Sequence, residues 1–142
     1  MNKRSKLYAV VATAILLTGA MSAFADKGDK GGNVDVRLKT SLTGAAIDGK
    51  TPEGSADFRS DAKGRMRLNV EAENGNLPMD TVLTVSLMHT GVSTAVGNIT
   101  LSAHGSGELE LNSQDGAMVP AVQSGDLITV SNGAQAILAG VF

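Results

Sequence analysis

The chain alternates apolar and polar residues with a period of two over most of its length, and this periodicity constrains the fold more than any other feature. In residues 64–73, Met66, Leu68, Val70 and Ala72 share one face, while arginine, asparagine and glutamate side chains share the other. Such alternation is typical of a β-strand with one buried face. Shorter versions of the pattern predict further strands at residues 34–38, 83–87, 99–103, 109–111, 128–130 and 138–142.

Turn-forming residues separate these strands at intervals of about ten positions, a spacing typical of all-β domains. Asp-Gly or Asn-Gly pairs occur at residues 48–49, 74–75, 115–116 and 132–133. These pairs supply the positive φ angles of tight hairpin turns at little steric cost. Since residues 34–142 show no helical stripe, the sequence predicts a single all-β domain there, either an antiparallel β-sandwich or a small barrel.

An internal repeat runs through this domain at a nearly constant offset. Residues 64–69 parallel residues 107–112 at an offset of 43, and residues 83–86 parallel residues 128–131 at an offset of 45. The Leu77-Pro78 pair parallels Val119-Pro120 at an offset of 42. We therefore expect two pseudo-repeated β-units packed face to face. Two units are too few for an open solenoid, which needs three or more.

The first 25 residues have the pattern of a secretory signal peptide. Three cations precede an apolar run of eleven residues, 7–17, and the segment ends in Ala23-Phe24-Ala25. The apolar run is shorter than the roughly 20 residues that a membrane-spanning helix needs, which disfavours an uncleaved anchor. We predict cleavage after Ala25, a disordered polar leader over residues 26–33, and a secreted or periplasmic protein. Export without any cysteine suits a bacterial envelope.

Charge is distributed unevenly along the predicted mature chain. Residues 26–142 hold 9 Lys+Arg and 14 Asp+Glu, a net charge of −5, and no Lys or Arg follows Arg67. In the repeat, Arg65 and Arg67 occupy the positions that Glu108 and Glu110 occupy in the second unit. One hypothesis is that these outward faces meet, across neighbouring strands or between molecules; the other is two separate solvated faces. Net negative charge disfavours nucleic acid as a partner.

Groups that carry chemistry are scarce. The chain has no cysteine, which excludes disulfides and cysteine-ligated metals, and its two histidines are His89 and His104. They come close together only if residues 83–89 pair with residues 99–104, where two imidazoles and a carboxylate would suit Zn²⁺ or Cu²⁺. We predict no catalytic residue, no cofactor and no metal, with these histidines as the weak metal candidates. No Gly-x-Ser-x-Gly elbow or Asp-rich calcium loop is present.

Three functional readings follow from these residues. The first is an exported, non-catalytic binding or structural domain in a cell-surface or matrix assembly, whose partner is a protein or envelope component. The second is a small periplasmic metal-dependent enzyme or metal-binding protein that uses His89 and His104. The third is an outer-membrane β-barrel, suggested by the terminal aromatic residue Phe142, although two aromatics in residues 26–142 cannot form the girdles of such a barrel. We favour the first and expect no stable membrane insertion after signal cleavage.

The second half of the chain also resembles a group of known proteins. The residues that carry this resemblance are 105–111, 119–122, 124–130 and 137–142. Over about the last 100 residues the chain is similar to small exported bacterial all-β proteins of unassigned activity. The resemblance implies export and a β-fold, and it implies no site residues.

Overall fold

A computed structural model describes residues 35–142, so the predicted signal peptide and leader lie outside the described residues. Eight strands and one turn of 3₁₀ helix make up this region. The first four strands are β1 (Val36–Thr43), β2 (Glu53–Ser60), β3 (Met66–Glu73) and β4 (Val82–His89). The last four are β5 (Val92–Thr100), β6 (Gly107–Asn112), β7 (Leu127–Asn132) and β8 (Gln135–Val141), with the 3₁₀ turn at Ser113–Asp115.

The eight strands form one antiparallel sheet in the order β5-β4-β7-β8-β1-β2-β3-β6. This sheet curls into a nearly closed, barrel-like shape in which its two ends, β5 and β6, approach each other. The predicted antiparallel all-β class is confirmed, and the architecture agrees with the sandwich or small barrel that the sequence predicts. Within residues 35–142, no helix is long and apolar enough to cross a membrane.

The core lies inside the curled sheet and is built from the alternating positions that the sequence indicates. Leu68 and Val70 of β3 are fully buried, as are Val85 of β4 and Val130 of β7. Phe58 of β2 and the terminal Phe142 belong to the same buried cluster. Both aromatic residues of the described region are therefore core residues.

The internal repeat has a structural counterpart in the strand pairing. The first repeated segments are neighbours, β3 and β6, and the equivalent residues Leu68 and Leu111 lie directly opposite each other. The second repeated segments, in β4 and β7, are also neighbours, and the equivalent residues Val85 and Val130 are paired. Each pair is thus related by a local two-fold axis. The two units meet through shared strand pairs of one sheet rather than as two separate stacked layers.

One strand of the structure is missed by the sequence pattern, and one predicted strand has different bounds. The alternation pattern does not predict strand β2, because its inward residues include Gly54 and Ala56, which are too small to give an apolar signal. A β-carbon on Gly54 would lie 2.3 Å from the Glu71 carbonyl oxygen, which explains the glycine. The strand predicted at residues 99–103 begins earlier, at Val92, and ends at Thr100, where the chain turns toward β6.

Candidate functional site

Strand β5 is an end of the sheet, and half of it is uncovered. Residues 92–95 are all exposed, and Val92 is 64% exposed. At Gly97 the strand reaches β6, because a β-carbon there would lie 2.7 Å from the Leu109 side chain. Beyond Gly97 the strand therefore packs against β6. Residues 92–96, of which 92–95 are exposed and Val96 is half-buried, are called the free edge below.

The free edge lacks the charged residues and prolines by which sheet ends usually avoid pairing. Residues 90–103 contain no charged residue and no proline. The opposite end of the sheet, β6, instead exposes Glu108 and Glu110. Charges on an edge strand disfavour the addition of another strand, whereas an uncharged edge presents unpaired N–H and C=O groups. A bulge between Val85 and Ser86 of β4 leaves Val96 as an extra residue at the end of the free edge.

A groove of about 310 Å³ runs along the inner side of the free edge. Its walls come from the end of β4, from β5 and from the segment that connects β6 to β7. The lining residues are Leu87, His89, Thr90, Val92, Thr94, Val96, Pro120 and Ala121. The connecting segment also contributes Val119 and Val122 to the core. An extended chain along the free edge would therefore have an apolar groove for alternate side chains.

His89 is held at the rim of this groove by a buried carboxyl group. The Nδ1 atom of His89 lies 2.6 Å from Oδ1 of Asp126, and Asp126 is only 4% exposed. The second carboxyl oxygen of Asp126 accepts a hydrogen bond from the Gln123 backbone N–H at 2.9 Å. The Asp126 backbone carbonyl accepts a further bond from the Phe142 N–H. Asp126 thus ties β4, the turn before β7 and the end of the chain together, and leaves His89 Nε2 as the free ring nitrogen.

The structure separates the two histidines that the sequence offers as weak metal candidates. His89 ends β4 next to the start of β5, and His104 lies in the connection that follows the end of β5. A nine-residue strand spans roughly 30 Å, so β5 holds the histidines at opposite ends. In residues 35–142 no group of three or more histidine, aspartate or glutamate side chains is arranged to hold a metal ion.

The residues of the predicted charge-pairing surface are only partly brought together. Arg67 reaches Glu110 of the neighbouring strand, with 2.7 Å between Nη2 and Oε1. Arg65 lies in the turn before β3 and pairs with Asp61 instead. Glu108 lies directly opposite Glu71, a like charge. One pair across neighbouring strands therefore has the expected geometry.

A second carboxyl group on this surface is held in its ionised form. Arg37 and Arg59 both donate to Asp57, at 2.8 and 2.9 Å. Partial burial raises the pKa of the Asp57 carboxyl, but the hydrogen bonds from Arg59 and Arg37 outweigh it, so the pKa lies below its usual value. Asp57 therefore stays charged and holds two arginines in place on the outer face of the sheet.

Sequence reasoning missed both main features of the groove. Asp126 reads as an isolated turn residue in a Ser-Gly-Asp sequence, 37 positions from His89. The sequence signal that could have identified Asp126 is an acidic residue that follows a turn glycine and immediately precedes a buried strand. The free edge is missed because Ser93, Thr94 and Ala95 do not alternate in polarity.

Comparison with profiles of protein families, with curated proteins and with solved structures gives no match for this chain.

Replacing Asp126 with alanine is expected to lower the free energy of unfolding by about 1–3 kcal/mol, because the Gln123 N–H loses its buried acceptor and His89 loses its partner. Thermal or urea unfolding measures this change. Asp126→Asn is the matched control, since its carbonyl can still accept from Gln123, and it should lose less. Equal stability of Asp126→Ala and the unmodified chain would show that the His89–Asp126 contact does not support the groove.

Proposed function

We propose that this chain is an exported, non-catalytic binding domain that works within a cell-surface or matrix assembly by adding an extended segment of a partner to the free edge of β5. The observation that carries the proposal is the uncharged, uncovered stretch of residues 92–96 beside a groove. In strand addition, main-chain hydrogen bonds provide affinity and pockets for alternate side chains provide specificity. The free edge and the groove offer both.

The groove indicates what kind of segment would fit. Val92, Val96 and Pro120 make most of one side apolar, while Thr90 and Thr94 add hydroxyl groups. A complementary segment would be extended, uncharged, and rich in small or β-branched side chains. Its inward side chains would enter the groove, and His89 Nε2 at the rim would select a hydrogen-bonding group at one end of the segment.

Neither alternative gains a supporting observation from the described residues. The second candidate needs His89 and His104 in one site, and β5 holds them apart. The third candidate, an outer-membrane barrel, would require an apolar outer band. Strands β1, β2 and β3 instead direct Arg37, Arg59 and Arg67 outward and keep their apolar residues inside. This pattern favours the binding domain.

A lysine on the free edge tests the proposal. Ala95→Lys places a charge on the exposed edge, where it should block strand addition without touching the core. With residues 26–142 as bait in an envelope extract, the unmodified chain is expected to retain a protein that Ala95→Lys does not retain. Retention of the same protein by both chains, or of no protein by the unmodified chain, would contradict strand addition at β5.

The matched control for that experiment is Ala62→Lys. Ala62 is exposed in the turn between β2 and β3, far from β5 in the strand order. The substitution and the change in net charge are the same as in Ala95→Lys. We expect Ala62→Lys to retain the partner as well as the unmodified chain does, and circular dichroism should show both variants folded.

A further inference from the structure

Three arginines stand in a row on the outer face of the sheet, away from the free edge. Arg37 of β1 lies directly opposite Arg59 of β2, and Arg59 lies directly opposite Arg67 of β3. Each side chain is at least half exposed. Like charges directly opposite each other destabilise a sheet. The arrangement is therefore unfavourable for the isolated domain.

The same face repeats this arrangement with the opposite sign toward the other ends of the strands. Glu53 of β2 lies directly opposite Glu73 of β3, and Glu71 lies directly opposite Glu108 of β6. Glu53 and Glu73 are exposed, and neither has an ion-pair partner within residues 35–142. The outer side of β1, β2, β3 and β6 is called the polarised face below, because it is basic at one end and acidic at the other.

Among the described residues, ion pairs on this face relieve only the basic end. Asp57 binds Arg37 and Arg59, and Glu110 binds Arg67. A guanidinium group has five N–H donors, so Arg59 and Arg67 keep donors for further acceptors. A recess of about 420 Å³ at this end, lined in part by the same arginines, has room for additional carboxyl groups. The basic end can still bind acidic side chains, whereas the acidic end has no ion pair within residues 35–142, and there only Glu71 accepts side-chain hydrogen bonds, from Ser55 and Asn69.

We propose that two copies of this chain associate through their polarised faces, with one copy turned end for end. Ala56 of β2 and Val70 of β3 lie directly opposite each other. The two-fold axis passes over these two residues, parallel to the face and perpendicular to the strands, and relates β2 and β3 to the same strands of the second copy. Arg59 lies three residues from Ala56 on one side and Glu53 lies three residues away on the other. The axis therefore brings Arg59 of one copy to Glu53 of the second copy.

The same axis places β3 against β3 of the second copy, again end for end. Arg67 and Glu73 each lie three residues from Val70, on opposite sides, so Arg67 of one copy meets Glu73 of the second copy. Each ion pair occurs twice by symmetry, so the opposed Arg59 and Arg67 and the opposed Glu53 and Glu73 gain partners of opposite charge in one interface. Glu108 comes close to Glu110 of the second copy at the margin of the face, which keeps the association weak. This proposal is independent of strand addition at β5.

Two complementary charge variants test the association of residues 26–142. The acidic variant carries Arg59→Glu and Arg67→Glu, and the basic variant carries Glu53→Arg and Glu73→Arg. In sedimentation equilibrium at low salt, the unmodified chain should form dimers, and each variant alone should bind itself at least about tenfold more weakly. An equimolar mixture of the variants should regain dimers, because every Arg–Glu contact is restored with its partners exchanged.

Controls separate this interface from a general effect of charge. Lys50→Glu with Lys63→Glu changes the net charge by the same amount as the acidic variant but at exposed turns outside the polarised face, and it should dimerise like the unmodified chain. Dimers of the unmodified chain should weaken in about 0.5 M NaCl, where exposed charges are screened. Circular dichroism identifies variants that do not fold, and the salt series on the unmodified chain does not depend on them.

Three results would overturn the proposal. The first is an unmodified chain that stays monomeric at every concentration at low salt. The second is a mixture of folded acidic and basic variants that does not associate. The third is a lysine control that weakens dimerisation as much as the acidic variant does. None of these results would affect strand addition at β5, because the free edge lies outside the polarised face.

Discussion

Replacing Phe58 with alanine is expected to lower the free energy of unfolding by about 3–5 kcal/mol, the range for large-to-small aromatic changes in a core. Phe58 is 2% exposed and lies between Leu38 and Leu68 on the neighbouring strands. Only two aromatic residues fall in the described region, and no other large ring can move into the space. Because a domain has a total stability of about 5–15 kcal/mol, this change removes a large part of it.

Urea unfolding followed by circular dichroism measures the effect of Phe58→Ala. The matched control is Phe58→Leu, which keeps most of the buried apolar volume and should cost less than half as much. A shift of under about 1 kcal/mol for Phe58→Ala would place this ring outside the core, since core truncations of this kind do not cost so little.

Replacing Gly44 with alanine is the second change with a large expected effect, a loss of about 3 kcal/mol, the upper end of the usual range for overpacking. Gly44 follows β1 at the junction with β8, and a β-carbon there would lie 1.8 Å from the Ile137 carbonyl oxygen. Both sides of this contact are backbone, so no side-chain rotation can relieve it. At Gly140 of β8, a β-carbon would lie 2.6 Å from the Ser41 carbonyl oxygen, which is also too close. Close backbone approach at these two glycines allows β1 and β8 to join the two halves of the sheet.

The control for Gly44→Ala is Gly75→Ala. A β-carbon on Gly75 would lie 3.3 Å from the Gly105 carbonyl oxygen, a tight contact that small shifts can relieve. We expect the Gly75 variant to lose much less stability than the Gly44 variant in the same urea titration. Equal losses would mean that the β1–β8 junction does not depend on close backbone approach.

The parts of the fold that the sequence predicts are those set by local periodicity. Strand β3 can be predicted nearly residue by residue because its apolar residues Leu68, Val70 and Ala72 alternate regularly with polar residues and so mark the buried face. Strand β2 cannot, because its inward positions include Gly54, and the reason for that glycine is a carbonyl oxygen on another strand. The repeat identifies equivalent strands, but their pairing in a single curled sheet depends on contacts distant in sequence.

In the candidate site, too, contacts that follow from local pattern can be predicted, and contacts between distant segments cannot. The pairing of Arg67 with Glu110 can be anticipated from the repeat, because both residues face outward at equivalent positions. The contact between His89 and Asp126 cannot, since it depends on β4 and β7 being neighbours. The opposed rows of like charge on the polarised face also require the register of three strand pairs. In each case the missing information is which strands adjoin and how they align.

Hydrogen–deuterium exchange tests strand addition at β5 most directly. The complex of residues 26–142 with a captured partner is compared with the free chain, and β6, with Glu108 and Glu110 on its edge, provides the internal reference. The account predicts slowed amide exchange in residues 92–96 of the complex, with unchanged exchange along β6. Protection elsewhere in the chain, with residues 92–96 exchanging as in the free chain, would contradict it.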